Sequence, residues 1–146
     1  MDEAPPLALI LVAAPLFFVC MWCGVLLLLS FVGGWHFLAG HFAATGQPPS
    51  DIQHMLGGMI GLVSYRGVLS VSASPRGLYL ATFVLFRPGH PALLIPRHVI
   101  SDIQDSFGLL VKLKKFKVQK DGRSVTIRLP APIVDKLDNA GGGTGR

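Results

Sequence analysis

The sequence predicts a membrane-anchored protein with one N-terminal transmembrane helix, followed by a small mostly-β domain of sandwich or partial-barrel type and a short C-terminal helix. Three observations predict it. Leu7 to Val32, LALILVAAPLFFVCMWCGVLLLLSFV, holds no charged residue and is long enough to cross a ~30 Å hydrocarbon core as one tilted helix. From Tyr65 onward, short runs rich in β-branched and aromatic residues alternate with Pro and Gly turns at roughly 8–12-residue spacing, the mark of an antiparallel sandwich or barrel. All 13 Lys and Arg residues lie from Arg66 onward, so charge and apolarity are segregated along the chain.

In lipid every backbone N–H and C=O must be satisfied within the segment, which commits an isolated apolar run of this length to a helix. A cleaved signal peptide wants a basic leader and a 7–15-residue apolar core. Here the leader, residues 1–6, is acidic through Asp2 and Glu3, and the apolar run is too long. A soluble core helix fares no better, because the rest of so small a chain can hardly wrap a helix that is apolar on every side. Pro15 falls in the first half of the span and removes one backbone donor, so a kink is expected there.

The chain has 146 residues, a formal net charge of +5, and two cysteines; its pI is about 9.6 and its mean hydropathy +0.54. With every basic residue on the C-terminal side of the span, the positive-inside rule puts the N-terminus outside and the C-terminal domain in the cytoplasm. Cys20 and Cys23 both fall inside the span and offer no disulfide framework.

Five segments follow in order: the leader at 1–6, the transmembrane helix at 7–33, an interfacial helix and linker at 34–54, the β-rich domain at 55–139 and a flexible Gly-rich tail at 140–146. Trp35, Leu38 and Phe42 recur at i, i+3, i+7, the stripe of a short amphipathic helix lying along the membrane surface. Trp35 is placed as its interfacial anchor, with the indole N–H reaching water or headgroups. Pro48-Pro49 then forces an extended linker. Met55 to Val63 is too short to span a bilayer and reads as a Gly-rich entry into a strand. Val68–Ala73, Leu78–Phe86, Leu93–Pro96, Leu109–Lys120 and Ser124–Leu129 read as further strands, and Val99, Ile100 and Ile103 are positioned to face a core. Asp121-Gly122 is the strongest hairpin signal in the chain. Pro130 and Pro132 suit a helix's first turn, and Ile133, Val134 and Leu137 give the closing helix its apolar face.

This order of elements resembles bacterial pleckstrin-homology-like domains of the kind fused to membrane spans. The resemblance covers about Gly61 to Leu137 and rests on Gly77-Leu78-Tyr79-Leu80, on Leu94-Ile95-Pro96 followed by Ile100, on the hairpin, and on the Leu129-Pro130 step into the helix. The Trp35, Leu38, Phe42 segment after a single span is similar to small uncharacterised bacterial inner-membrane proteins. The resemblance implies seven strands and a capping helix; about six strands are legible, and the helix is short.

The chemistry-bearing residues exclude more than they assign. Cys20-Met21-Trp22-Cys23 has redox-pair spacing, but no cation stands near to stabilise a thiolate, and Cys20 with Gly24 suits small-residue helix packing better. His36, His41, His54, His90 and His98 include no i, i+4 pair, so no metal site is expected. No nucleophile elbow or phosphate-cradling Gly loop occurs, and the expectation is a protein that is not an enzyme and carries no cofactor.

One cluster carries mechanistic content. A two-residue turn at Asp121-Gly122 sets Lys120 opposite Arg123, Val118 opposite Val125, Phe116 opposite Ile127 and Lys115 opposite Arg128. Apolar side chains then share one face, and Lys115, Lys117 and Arg128 share the other. A bulge near Lys114-Lys115 is expected to bring Leu113 inward and to let Lys112, Lys114, Lys115, Lys117 and Arg128 project together as an anion- or lipid-binding face. A plain solvated sheet face has the same pattern. The functional expectation is a membrane-anchored binding or scaffold domain for a protein partner or anionic lipid headgroups. The alternative is a structural subunit of a larger membrane complex, or a homo-oligomer, packed through the transmembrane helix. Nucleic acid is not an expected partner, because the cluster's one aromatic residue, Phe116, points inward.

Overall fold

The apolar run forms α1, Leu7–Gly33, a single helix that continues through Pro15. It is the one described helix long and apolar enough to cross a membrane, and in the computed structural model, which describes residues 6–108 and 111–141, only Leu26, Ser30 and Gly33 of it are buried. These three recur at i, i+4, i+7, so the last two turns present one narrow face to the rest of the protein. All of the leader but Pro6, the start of the Leu109 run, and residues 142–146 of the tail lie outside the described residues. Gly34, at φ 85°, stops the helix, its N–H bonding back to Phe31 O. That left-handed conformation suits glycine, and a second helix, α2 (Trp35–Phe42), starts at once.

Seven antiparallel strands follow: β1 Gln53–Ile60, β2 Val63–Ser74, β3 Gly77–Thr82, β4 Leu93–Pro96, β5 Ile100–Phe107, β6 Lys112–Lys120 and β7 Arg123–Pro130. Their spatial order is β4-β3-β2-β1-β7-β6-β5, so two meanders are joined where β1 pairs with β7. The sheet curls into a half-barrel with β4 and β5 as its outer strands. The strand that sequence patterning leaves undefined is β5. A register shift between Ser101 and Gln104, with Asp102 at φ 55°, breaks its alternation. The Leu78–Phe86 run is not one strand: β3 ends at Thr82, and Val84–Phe86 form a 3-10 turn.

The concave side holds the core, which includes Leu69, Leu78, Leu80, Ile95, Phe116, Ile127 and Leu129. Helix α3, Ala131–Gly141, covers it with Ile133, Val134 and Leu137, as the apolar spacing of the sequence implies. Lys114 on β6 pairs with Asp135, Lys136 with Asp51 at 3.3 Å, and Arg97 with Asp138 at 3.3 Å. Asp51 also accepts from Ser72 Oγ at 2.7 Å; that bond, then Lys136, holds its carboxyl below the usual carboxylate range. The Asp135 contact holds the Lys114 ammonium above its ordinary value.

The expected surface-lying helix is in fact part of the core. Trp35 and Leu38 are fully buried and Phe42 nearly so. Ala43 bridges to Leu93, and Ala44 N–H donates to Ala92 O at 2.8 Å. An apolar stripe is driven out of water equally by lipid or by protein, and a curled sheet with an open end offers the protein alternative.

Candidate functional site

The Asp121-Gly122 turn has φ 51° and 78° at its two residues, both positive, as a type I′ hairpin requires. The resulting register sets Lys115 opposite Arg128, Phe116 opposite Ile127 and Lys117 opposite Thr126, with no slip along the whole of β6 and β7. Because side chains alternate strictly, Phe116, Val118 and Ile127 go to the core, and Lys115, Lys117 and Arg128 share the convex face.

That face meets the end of α1. Phe31, Val32, Gly33 and Gly34 form one wall of an open groove of about 550 Å³, and Lys115, Lys117 and Arg128 line the other side, with Arg123 at the hairpin end. The close approach has a specific cause in the β1–β2 turn. Gly61, at φ 58°, lies so near Gly33 that a Cβ there would sit 2.3 Å from Gly33 O. Only glycine lets the turn dock under the helix end.

None of the four groove cations is in an ion pair among the described residues. Arg128 makes a 3.7 Å contact to Met59 Sδ, and Arg123 lies over the Phe37 ring at 4.8 Å. Asp102 and Gln104 also line the groove, with Gln104 paired to Lys115 across the strands. Like charges directly opposite, as at Lys115 and Arg128, are destabilising, and an anion between them relieves this. Arg128 offers a planar fork of donors, whereas the lysines act as point charges.

Two of the sequence-predicted cations are elsewhere. No bulge interrupts β6, so Lys114 keeps its alternation with Phe116, turns to the α3 side and is held by Asp135, with Asp105 at 4.0 Å. Lys112 has the same parity and lies exposed at the start of β6. Leu113 takes the convex-face position that the bulge was expected to correct. Trp35 does not serve as an interfacial anchor: it is fully buried, and its indole N–H donates to Pro91 O at 3.0 Å. Arg123, at the groove's hairpin end, has the parity of Val125 and Ile127 and turns over the Phe37 ring of α2, so it does not belong to the convex cationic face. The helix wall, Phe31 to Gly34, has no sequence signal at all.

A buried polar cluster lies between α1, α2 and the β3–β4 connection. His90 is 1% exposed. Its Nδ1 is 3.0 Å from Pro88 O and its Nε2 2.8 Å from Tyr65 Oη. A carbonyl only accepts, so Nδ1 carries the proton and Nε2 accepts from the Tyr65 hydroxyl. Burial pushes the imidazole below its ordinary value, partly opposed by the Pro88 carbonyl, and pushes the Tyr65 phenol well above its own. The neutral ring is edge-on to Trp35 at 5.1 Å. Ser30 Oγ on α1 donates to Gly89 O at 2.5 Å, so residues 88–91 are latched to both helices. Cys20 is exposed and Cys23 half-buried on α1, and no group of three or more metal-ligating side chains occurs among the described residues.

Compared with known families, curated proteins and solved structures, the chain matches none.

Proposed function

We propose that the protein is a single-pass, non-enzymatic membrane protein whose β-domain binds the phosphate of anionic lipid headgroups in the groove between the end of α1 and the β6–β7 hairpin. The observation that carries this reading is the meeting of Lys115, Lys117 and Arg128, which have no ion-pair partner among the described residues, with Phe31–Gly34 at the end of the apolar helix. A span hands over from hydrocarbon to headgroups at that level, since the polar layers add about 5–8 Å on each side of the core. The groove's two walls match the two halves of a lipid, apolar below and cationic above. The strand order β4-β3-β2-β1-β7-β6-β5 with a terminal helix supports the likeness to pleckstrin-homology-like domains. The positive-inside rule favours a cytoplasmic β-domain, where anionic lipid is met.

Each basic residue near an anionic surface contributes on the order of 1 kcal/mol, so three contribute roughly a hundredfold in affinity. The full-length protein, purified in a neutral detergent, is titrated with a short-chain anionic phospholipid and its zwitterionic counterpart. Preference for the anionic lipid, weakening as salt shortens the Debye length from ~10 Å at 0.1 M to ~3 Å at 1 M, is the expected result. The triple variant Lys115→Gln, Lys117→Gln, Arg128→Gln should lose the preference, whereas Lys114→Gln should keep it. Equal binding of the two lipids would overturn the reading. A second reading, a subunit packed through its span, is favoured by Gly24, where an added Cβ would meet nothing within 4 Å: that face of α1 is open to another helix.

A further inference from the structure

Among the described residues of the β-domain, the β3–β4 connection holds the longest run of consecutive exposed large apolar side chains. Phe83, Val84 and Leu85 are 54%, 59% and 62% exposed, which is costly for three consecutive large side chains in water. They do not lie free on the domain surface. The 3-10 turn Val84–Phe86 stands alongside α1, where Trp22 Nε1 donates to Leu85 O at 2.9 Å and the Trp22 and Phe86 rings meet edge-on at 5.4 Å. The latch at Ser30 and Gly89 fixes the turn's return path against the same helix.

We propose that Phe83–Phe86 is a membrane-embedded wedge, inserted into the same leaflet as the C-terminal half of α1, with Phe83, Val84 and Leu85 against lipid acyl chains. This rests on the reading of α1 as a transmembrane span. Its depth follows from helix arithmetic. A 30 Å core takes about 20 residues at 1.5 Å rise, and α1 runs from Leu7 to Gly33. Whether the spanning window sits at residues 7–26 or at 14–33, Trp22 is inside it, between about 6 and 16 Å below the boundary. Leu85, hydrogen-bonded to Trp22, is therefore inside hydrocarbon in every register.

Several backbone groups of the turn are already paired within the protein, although among the described residues the Val84 and Leu85 N–H groups are not. Non-helical chain at membrane depth is tolerated only where its polar groups find protein partners. Phe83 N–H donates to Val68 O at 2.8 Å, Phe86 N–H to Phe83 O at 2.8 Å, Arg87 N–H to Val84 O at 3.3 Å and His90 N–H to Arg87 O at 2.8 Å. The Leu85 carbonyl takes the Trp22 indole, which in lipid has no water to turn to. Arg87, exposed, follows the wedge directly and has the long stem needed to carry its charge up to the headgroups. The β-domain is thus held to the bilayer at two points, by α1 and by the wedge, which limits its swing and keeps the basic groove facing the surface.

The test is depth-resolved quenching in the full chain. Single cysteines at Phe17→Cys, Leu85→Cys and Arg76→Cys, in a Cys20→Ala, Cys23→Ala background, carry a small fluorophore and are reconstituted into vesicles with or without lipid brominated at mid-chain. Position 17 lies within α1 and inside the spanning window in either register, and position 76 lies beside the far end of β3, about 20 Å of strand from the wedge. The expected result is that the probes at 85 and 17 both lose fluorescence, while that at 76 loses none. Quenching at 17 without quenching at 85 overturns the wedge and leaves the span standing. Absence of quenching at 17 overturns the span itself, and the wedge with it. All three positions are exposed, so none of the replacements removes a core contact.

Discussion

Helices α1 and α2 are both apolar, meet at Gly34 and have opposite surroundings. Apolar residues occur on every side of α1, and nearly all of its surface is exposed; α2 carries a stripe of Trp35, Leu38 and Phe42 and buries all three. The difference teaches that period, not apolarity, decides where a helix goes. A helix without a polar face has no orientation that satisfies a half-barrel and water together, which is the pattern of a helix able to span a membrane. A stripe can be covered by any apolar surface within reach, and the open end of the sheet is nearer than the bilayer.

The strongest way to break this comparison is to truncate one large side chain in each helix. Trp35→Ala removes a fully buried indole and its bond to Pro91, and should cost about 3–5 kcal/mol. Phe17→Ala, on a residue 71% exposed on α1, should change the unfolding of the β-domain by less than about 0.5 kcal/mol. Thermal or denaturant unfolding in detergent, followed by the β signal in circular dichroism, separates the two. Equal losses would mean that α2 is no more part of the core than α1. Trp35→Phe keeps most of the packing but leaves the Pro91 carbonyl unpaired, a smaller loss of about 1–3 kcal/mol.

A subtler probe lies at His90, between the two helices. The folded protein holds His90 neutral, with its pKa below the ordinary 6.5 because of burial, while in the unfolded chain it ionises near 6.5. Between those values the unfolded state binds more protons, so stability rises with pH in that window. It is complete above about 6.5 and is lost as pH falls towards the folded-state value. The difference in unfolding free energy between the protein and His90→Asn, measured from pH 8 down to 5, should therefore shrink below about pH 6.5. A difference independent of pH would show that His90 is not held neutral. Tyr65→Phe removes the hydroxyl that donates to Nε2 and should cost about 1–3 kcal/mol.

Much of this arrangement is legible in the chain, and the failures have physical causes. The hairpin register follows from Asp121-Gly122, because turn chemistry is local: Lys115 does face Arg128. The expected bulge does not form, because Lys114 is stabilised on the inner side by Asp135, a residue of α3 that strand alternation cannot reveal. The register irregularity falls instead in β5 at Asp102. The Leu78–Phe86 run reads as one strand since β-branched and aromatic residues serve a strand and an apolar turn equally well; contact with α1 distinguishes them. Trp35 reads as an interfacial anchor for the same reason that it fits the core. Half of the basic groove, the wall from Phe31 to Gly34, exists only because Gly61 lets the sheet dock beneath the helix end.

The smallest expected effect on the fold sharpens the comparison from the α1 side. Cys20 is exposed, and a Cβ at Gly24 would have open space around it. The two are four residues apart, so they form one small-residue patch on the helix. In lipid such a patch adds little unless another helix packs against it, since the acyl chains solvate leucine as well as they solvate glycine. Replacing both, Cys20→Leu and Gly24→Leu, should therefore leave the β-domain's unfolding unchanged and keep the protein in the membrane fraction. Self-association in mild detergent or nanodiscs, read by cross-linking or by energy transfer between labelled copies, is the sensitive quantity. A loss of association without loss of stability assigns the patch to helix pairing. Unchanged association leaves the patch without a pairing role, and the polar contacts of α1 are then those it makes within the chain, at Trp22 with Leu85 and at Ser30 with Gly89.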